Sequence, residues 1–312
     1  MQREASVRRR LRLRDLDTLL AVAQRGSMAK AATQLSVSQP AVSKAMAEIE
    51  RTLGVRLLDR TAQGVEPTLY GRALIKCATA VFDEVRQGVK EIEFLAAPNI
   101  GELRIGASEP IISGFLPEVM RRISGRHPGI MFDVSQVLVD AAGPELRERR
   151  VDLVVGRLLA TGTDDLKAEV LFNDPLCLAV GVDNPLTRKR KVRLEDLMDH
   201  PWVLPRPESA VGGLIAQAFR GWGVDVPRPR VICNSFQMYN ALLSTEPFLA
   251  VYPRSLLWFA GKRLGMRMLP VDLPPHPAPV GILALRNRTI SPVAGLFIEV
   301  AREIAKPLAR LG

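Results

Sequence analysis

Residues 39–53 predict a helix whose two faces differ in chemistry. One face is an apolar stripe at helical spacing, made of Val42, Met46, Ile49 and Leu53. On the other face, Gln39 offers the paired donor and acceptor that match adenine, Ser43 can bond a base edge or a phosphate, and Lys44 suits guanine or phosphate. This face therefore has the chemistry of base reading, although a surface hairpin of two helices in any helical protein would show the same spacing.

The segments before this helix predict a compact arrangement of three helices. Residues 14–24 predict a first helix, and Ser27 can cap a short second helix over residues 28–35. A turn of only three residues, 36–38, separates the second helix from the third, and Ser38 is the candidate N-cap of the third. Helix, tight turn and helix, with a polar face on the last helix, is the arrangement of a helix-turn-helix.

A β-wing is predicted directly after the third helix. Residues 55–60 predict a short strand, residues 61–64 a turn that contains glycine, and residues 65–68 the returning strand. Arg60 can then reach a DNA backbone or a minor groove. We therefore expect residues 11–68 to form one winged helix-turn-helix domain. The expected DNA contacts are Met28, Lys30, Thr33, Ser38, Gln39, Pro40, Ala41, Ser43, Lys44, Arg51, Arg60 and Gln63.

These motifs resemble those of the LysR-type transcriptional regulators. The resemblance is carried by residues 27–35, 37–43, 53–55, 57–60 and 67–68 together with Glu50, and it continues in order and length over the whole chain. Its most specific part is the run Val-Ser-Gln-Pro-Ala-Val-Ser, and one departure is Leu58, where phenylalanine is commoner. The resemblance implies an α+β multidomain protein. Its parts would be an N-terminal winged helix-turn-helix, a long dimerisation linker helix and a C-terminal two-lobed α/β effector domain like that of periplasmic binding proteins.

Residues 69–97 predict one long helix without proline, which Pro98 ends. Its apolar and small residues are spaced alternately by four and three, as on the seam of a coiled coil. The seam consists of Leu74, Ala78, Val81, Val85, Gly88, Ile92 and Leu95. A long helix packed on its own domain would show a similar stripe, but three heptads that end at a proline favour pairing between subunits. The family resemblance also implies that this helix pairs with its copy, in a homodimer or a homotetramer.

Strands and helices alternate from residue 101 to the end of the chain, which predicts a parallel α/β sheet. Residues 151–156 form the clearest buried strand of this region, because five of the six are apolar or glycine. Residues 101–312 are therefore the predicted effector-binding domain. The resemblance implies two lobes, with lobe I at about residues 101–171 and 277–312 and lobe II at about residues 172–276.

Polar side chains at the ends of the predicted strands are the candidate effector ligands. Ligands of such sheets bind at the carboxyl ends of the strands. The expected ligands are Ser108, Glu109, Asp140, Arg157, Arg206, Ser209, Asn234 and Ser235. In the family's pattern the Gly-Arg that matches Arg157 lies near the effector. The alternative for the serines and Asn234 is the capping of a helix, and the alternative for Arg157 is an ion pair with Glu109.

Composition narrows the class of protein further. The 312 residues are 47% apolar and 24% charged, which is typical of a soluble globular protein with about two domains. The net charge is +10, and six arginines within residues 1–14 form a basic tail of the kind that binds phosphate. No long apolar core follows this tail, so no signal peptide is predicted. Cys77, Cys177 and Cys233 lack a metal-binding spacing and are expected to be reduced.

Catalytic chemistry is not predicted. Each of the three histidines lies beside a proline, and the sequence has no nucleophile elbow, no zinc-binding HExxH motif and no phosphate-binding loop. We therefore expect neither an enzyme nor a cofactor nor a metal site. A stand-alone solute receptor, the rival class, would need an export signal and would have no DNA module.

The sequence thus predicts a cytoplasmic regulator of transcription that binds a double-stranded DNA operator and is modulated by a small-molecule effector. RNA polymerase is an expected partner if the regulator is an activator, and no membrane contact is expected. Residues 174–175, 201–205, 273–275 and 287–292 resemble a branch of the family that includes the galactose-binding-protein regulators. This resemblance implies a sugar or an organic acid as effector. The alternative is a nonspecific DNA-bridging protein without an effector.

Overall fold

The structure, a computed structural model, describes residues 10–61, 64–158, 164–274 and 278–309. The chain divides into two compact units, residues 1–88 and residues 89–312. Gln63, most of the basic tail and the first residue assigned to the returning part of lobe I lie outside the described residues, as does the side chain of Arg60. No helix within the described residues is long and apolar enough to cross a membrane.

The first unit consists of short helices followed by a hairpin. In chain order these elements are α1 (Leu13–Arg25), α2 (Met28–Gln34), α3 (Gln39–Leu53), β1 (Leu58–Thr61) and β2 (Gly64–Pro67). The two strands pair antiparallel, with Leu58 opposite Pro67. The helices begin at the predicted caps, because the Ser27 hydroxyl accepts from the Lys30 amide and the Ser38 hydroxyl from the Ala41 amide.

The core of this unit lies where the three helices cross. Val42, Met46 and Ile49 of α3 are buried as predicted, whereas Leu53 is only partly buried. At the crossing, α2 contributes Ala31 and Ala32, which are both buried. Their small side chains let the two helices approach closely. The rest of the buried core is Leu19, Ala21, Val22 and Leu57. This packing leaves the polar face of α3 directed to solvent.

A single long helix, α4 (Leu69–Ala96), follows the hairpin. Thr68 begins this helix, since its hydroxyl accepts from the Gly71 amide at 3.0 Å and donates to the Arg56 carbonyl at 2.8 Å. The described helix agrees closely with the predicted helix over residues 69–97. It contains the last residues of the first unit and the first residues of the second.

The second unit contains ten strands and seven α-helices among its described residues. In chain order they are β3 (Ile100–Ala107), α5 (Glu109–Ser113), α6 (Phe115–Ser124), β4 (Gly129–Gln136), α7 (Ala142–Arg147), β5 (Leu153–Arg157), β6 (Leu166–Asn173), β7 (Leu176–Gly181), β8 (Val203–Leu204), α8 (Ala210–Gly221), β9 (Val231–Ile232), α9 (Phe236–Thr245), β10 (Ala250–Pro253), α10 (Arg254–Ala260), β11 (Met266–Met268), β12 (Pro279–Leu285) and α11 (Pro292–Ala309). Short 3₁₀ turns lie at Val139–Ala141, Pro185–Arg188 and Glu195–Leu197.

The strands of this unit form three sheets rather than one. A five-stranded sheet has the order β4-β3-β5-β12-β6, a three-stranded sheet the order β10-β7-β11, and β8 pairs with β9. Pairing is parallel for β4-β3-β5 and for β8-β9, but antiparallel for β12 and throughout the three-stranded sheet. The prediction of a parallel sheet is therefore wrong for about half of the pairings. Strand direction at β12 depends on how the chain returns, which local periodicity does not encode.

Each sheet region has its own apolar core. The five-stranded sheet packs against α6 and α11 around Phe115, Phe172 and Phe297. The smaller sheets enclose cores around Trp202 and Phe219 and around Tyr239 and Tyr252, where the aromatic rings contact edge to face. The chain crosses from the five-stranded sheet to the smaller sheets after β6 and returns before β12.

Candidate functional site

The N-terminal half of α3 presents three polar side chains with free hydrogen-bonding groups. Gln39 and Lys44 are exposed and Ser43 is half-buried. None of the three makes a side-chain hydrogen bond or an ion pair to any other residue that the structure describes. Their donors and acceptors are therefore available to a ligand without the loss of an internal contact.

Glu50 holds the wing against α3. Its Oε1 atom accepts hydrogen bonds from the Leu57 amide at 2.7 Å and from the Leu58 amide at 3.3 Å. A charged acceptor makes such bonds stronger than bonds between neutral groups. The sequence motif includes Glu50, but only the structure shows that it positions the wing.

The wing also contacts the end of α1. The Val65 amide donates to the Gly26 carbonyl at 3.0 Å. Gly64 has φ +138°, and a β-carbon at this position would lie 2.2 Å from the Gly26 oxygen. The close approach of the two backbones therefore requires glycine.

Most predicted DNA contacts lie on the surface of the helical domain. The exposed ones are Lys30, Thr33, Ser38, Gln39, Pro40, Ala41, Lys44 and Arg51. Met28 is half-buried and packs on the apolar core, so its role is at least partly structural. Arg51 pairs with Glu48, and the hydrogen bond from Arg51 lowers the pKa of that carboxyl. Gln63 lies in the undescribed wing tip, and for Arg60 only the position in β1 is described.

The predicted seam on α4 divides into two halves. Ala78 is buried (0% exposed) within the single chain, and Leu74 packs on the core of the helical domain. Val85, Ile92 and Leu95 are 50%, 67% and 73% exposed. Gly88 has open space around the position of a β-carbon, and Val81 is half-buried. Ala78 is buried within its own chain, so the prediction that it faces a second subunit is wrong. Val85, Ile92 and Leu95 are exposed and remain available for such a contact.

In the five-stranded sheet, Ser108 and Arg157 lie at neighbouring strand ends. β3 and β5 are parallel, and Ser108 follows the first while Arg157 ends the second. The Ser108 hydroxyl makes no hydrogen bond to a described residue and lies 3.8 Å from the β-carbon position of Gly156. Asp140 is exposed on the 3₁₀ turn after β4. Glu109 accepts from the Ser113 hydroxyl at 3.1 Å.

The expected alternative for Arg157, an ion pair with Glu109, is wrong. Arg157 instead donates from Nη2 to the carbonyl oxygen of Asp174 at 3.1 Å, where the chain leaves the five-stranded sheet. Burial lowers the pKa of Arg157, and the nearby charge of Asp174 opposes this shift. The guanidinium therefore lies at the crossover between the two sheet regions, with only part of its surface exposed.

Asp174 is the centre of the contacts at this crossover. Its carboxylate accepts from the Ser255 amide at 2.8 Å and from the Ser255 hydroxyl at 2.6 Å. Its amide donates to the Ala278 carbonyl at 2.9 Å, and Asn173 accepts from the Ala278 amide at 2.6 Å. Burial raises the pKa of Asp174, and the hydrogen bonds from Ser255 oppose that shift. In the sequence, residues 174–175 appear only as part of the branch resemblance, and an Asp-Pro pair is typical of many loops, so neither predicts this role for Asp174.

The other four predicted ligands lie together at the ends of β8 and β9. The Arg206 amide donates to Asn234 Oδ1 at 3.1 Å, which joins the two strand ends. Ser209 caps α8 by accepting from the Gly212 amide at 3.0 Å, and Ser235 caps α9 in the same way. The alternative of helix capping is therefore correct for both serines. The Arg206 side chain is exposed and makes no hydrogen bond or ion pair to a described residue.

Two further observations concern the described part of this unit. A cavity beside Asp174 and Trp258 has a volume of ≈ 10 Å³, which is room for about one water molecule rather than for a metabolite. The described residues contain no group of three or more His, Cys, Asp or Glu side chains that could hold a metal ion. Among the predicted ligands that the structure describes, the side chains of Ser108, Asp140 and Arg206 make no internal hydrogen bond, and Arg157 donates only one.

Comparison with known protein families gives matches to both units. Residues 13–72 match the family described as "Bacterial regulatory helix-turn-helix protein, lysR family". Residues 96–306 match the family described as "LysR substrate binding domain". Together the two matches cover most of the chain.

Two curated relatives align over nearly the whole chain. The HTH-type transcriptional regulator GbpR of Azospirillum brasilense is 28% identical over 300 residues, which cover 94% of this chain and 86% of that protein. The HTH-type transcriptional regulator PcaQ of Agrobacterium fabrum is 28% identical over 307 residues, which cover 97% of each chain.

Solved structures show the same fold. Full-length CbnR, a protein crystallised with its target DNA, aligns with a TM-score of 0.63 at 21% identity, over 94% of this chain and 100% of that one. Full-length BenM aligns with a TM-score of 0.53 at 24% identity, over 95% of this chain and 97% of that one. These structural matches confirm the predicted α+β architecture. The matching families and the two curated relatives are transcriptional regulators, not enzymes. With a helix-turn-helix unit and a substrate-binding unit in the family's order, the chain belongs to the LysR family of transcriptional regulators.

Proposed function

We propose that this regulator reads its operator with the N-terminal half of α3. The observation that carries the proposal is the free polar face of Gln39, Ser43 and Lys44, on a helix whose opposite face is buried. Glu50 supports it by holding the wing beside that helix. The proposal agrees with CbnR, which was crystallised with its target DNA. A regulator that binds its operator would act where the chromosome lies, in the bacterial cytoplasm.

The regulator acts as an oligomer through the exposed half of the α4 seam. Val85, Ile92 and Leu95 form an apolar stripe in a single chain, and burial against a second copy would remove it from water. A dimer would present two α3 helices to half-sites about one helical turn or more apart. RNA polymerase would be the partner of an activator.

A small-molecule effector binds at the strand ends of the second unit and modulates operator binding. The unengaged side chains of Ser108, Asp140 and Arg206 support this location, together with the partly exposed Arg157. The resemblance of residues 174–175, 201–205, 273–275 and 287–292 to the branch that includes the galactose-binding-protein regulators supports a sugar or an organic acid as effector.

The function is tested by footprinting the promoter shared by this gene and its divergent neighbour, with and without candidate sugars and organic acids. We expect a protected site of defined sequence whose length or affinity changes with one compound. Uniform protection without sequence preference, unaffected by any compound, would instead support the nonspecific DNA-bridging protein.

Arg157→Ala tests the effector site. For an anionic effector, loss of the guanidinium should weaken binding by about 1.5–3 kcal/mol, the contribution of a charge-assisted hydrogen bond, and Arg157→Lys should restore part of it. Titration calorimetry measures the affinity, and a melting curve measures stability. Full effector affinity with a large drop in melting temperature would show that Arg157 only holds the crossover at Asp174.

A further inference from the structure

A dense basic segment lies in the second unit, far in sequence from the predicted DNA-binding residues. Residues 188–193, here called the basic segment, contain five cations and no carboxylate. The cations are Arg188, Lys189, Arg190, Lys191 and Arg193, all exposed. Residues 89–312 hold 28 basic and 24 acidic residues in total. The positive excess of the whole unit is therefore concentrated in these six positions.

The fold holds the basic segment at the surface. Val192 is buried, its amide donates to the Pro270 carbonyl at 3.1 Å, and it forms a bridge to Val271. Leu194 is buried two residues later. Because neighbouring side chains of an extended chain point to opposite sides, anchoring Val192 directs its neighbours to solvent. At its N-terminal end, the basic segment starts at Arg188, the last residue of the 3₁₀ turn Pro185–Arg188.

Four of the five cations lack a counter-charge among the residues that the structure describes. Arg193 pairs with Glu195 at 3.4 Å, and both side chains are exposed. Within the described ranges, no carboxylate lies within 4.0 Å of Arg188, Lys189, Arg190 or Lys191. A row of like charges repels itself, so an external polyanion that neutralises it is favoured.

We propose that the basic segment binds the phosphate backbone of duplex DNA as a second, sequence-independent contact. This inference rests on the proposed DNA-binding function and adds a contact made by the regulatory unit. Six residues span at most about 20 Å when extended. Each DNA strand offers a phosphate about every 3.4 Å along the axis, so several phosphates come within reach of such a span.

Duplex DNA fits the basic segment better than an acidic protein does. Protein interfaces centre on buried aromatic and aliphatic residues. The apolar residue within the segment, Val192, is buried in its own core, so the exposed side chains are charged ones only. Arginine and lysine are among the side chains that make phosphate contacts.

The test measures how the affinity of the full-length protein for DNA depends on salt. The probe is a mixed-sequence duplex of about 60 base pairs, long enough for flanking contacts. The variant carries Lys189→Gln, Arg190→Gln and Lys191→Gln. The control variant also replaces one arginine and two lysines, all exposed, in Arg126→Gln, Lys167→Gln and Lys306→Gln.

We expect the slope of log affinity against log salt to become shallower by about 2–3 in the segment variant, since each phosphate contact contributes about 0.9. The slope of the control variant should differ from the wild-type slope by no more than about one. A variant that conserves the charges, with Lys189→Arg, Arg190→Lys and Lys191→Arg, should keep the wild-type slope. Equal slopes in the segment and control variants overturn the proposal.

The proposal would also be overturned if the segment variant kept the wild-type slope on DNA but lost activation in a reconstituted polymerase assay. The partner of the basic segment would then be an acidic protein. The proposed function is judged separately, by discrimination between operator and scrambled DNA. A wild type without such discrimination contradicts the proposed function, whereas the slope on mixed-sequence DNA judges the basic segment alone.

Discussion

At the residue scale, the approach of the wing to the first helix depends on a missing side chain. A β-carbon on Gly64 would lie 2.2 Å from the Gly26 oxygen, and φ at Gly64 is +138°. Gly64→Ala should therefore displace the wing, at a cost of about 1–3 kcal/mol, and weaken operator binding measured by fluorescence anisotropy.

The control for this substitution is Gly295→Ala, where a β-carbon meets open space on α11. Alanine in a helix is more stable than glycine by about 1 kcal/mol, so this variant should melt at the wild-type temperature or above it. Unchanged operator affinity and melting in Gly64→Ala would show that the wing does not need the contact with Gly26.

Several individual side chains could be predicted from the sequence, and others could not. The caps Ser27 and Ser38 follow from residue type and position at a helix start. Ser209 and Ser235 are also serines that precede a predicted helix, but they follow a strand end as well. The sequence therefore allowed two roles, effector ligand or helix cap, and the structure shows that both residues cap helices. The role of Asp174 depends on Ser255, a partner 81 positions away that no local pattern identifies.

At the scale of elements, α4 combines an internal contact with a free apolar stripe. Val85→Asp and Ile92→Asp should each separate the subunits, because a carboxylate placed in the pairing seam would lose its hydration without gaining a partner. The cost is several kcal/mol per buried charge, which exceeds what a short seam can supply. Light scattering at fixed protein concentration measures the size of the particle.

Ala73→Asp is the matched control, since it adds the same charge at an exposed position of α4 outside the seam. It should leave the particle size unchanged. A wild-type particle size in both seam variants would mean that subunits pair through another surface.

The elements themselves were mostly predictable, and the exceptions share a physical cause. The helix α3 and the long helix α4 have strong periodicity and agree with the structure within about two residues. The short elements α10 and β11 were not predicted, because they are too short for a period to show. The heptad pattern of α4 does not show which half packs on its own chain. A helix that packs on its own domain and a helix that packs on a second subunit show the same period.

At the scale of the whole molecule, a buried carboxylate joins distant parts of the second unit. Asp152 accepts from Arg104 at 2.7 Å and from Arg288 at 2.6 Å, and Lys90 of α4 lies 3.9 Å away. Burial alone would raise the pKa of Asp152, but the hydrogen bonds from Arg104 and the charges of Arg288 and Arg104 hold it below its ordinary value. This cluster ties the end of α4 to β3 and to the turn after β12.

Asp152→Asn should lower the free energy of unfolding at neutral pH by about 3–5 kcal/mol, because it leaves buried cations without their counter-charge. The pKa of Asp152 is lower in the folded protein than in the unfolded chain, where it is about 3.9. The ionised carboxylate therefore stabilises the fold at pH values above about 3.9, and this stabilisation is lost as the pH falls through the folded pKa. Denaturant unfolding between neutral and acid pH should therefore show a smaller acid loss in the variant. Asp199→Asn, at an exposed carboxylate, is the control, and equal acid losses in all three proteins would contradict the assignment.

The central claim, that α3 reads DNA sequence, is tested most directly by one ratio: affinity for the footprinted operator divided by affinity for scrambled DNA. Gln39→Ala and Ser43→Ala should each lower this ratio by about 5- to 150-fold, corresponding to 1–3 kcal/mol per base contact, with fold and particle size unchanged. Gln217→Ala, an exposed glutamine of α8, should keep the wild-type ratio. A wild-type ratio in both α3 variants would contradict the claim.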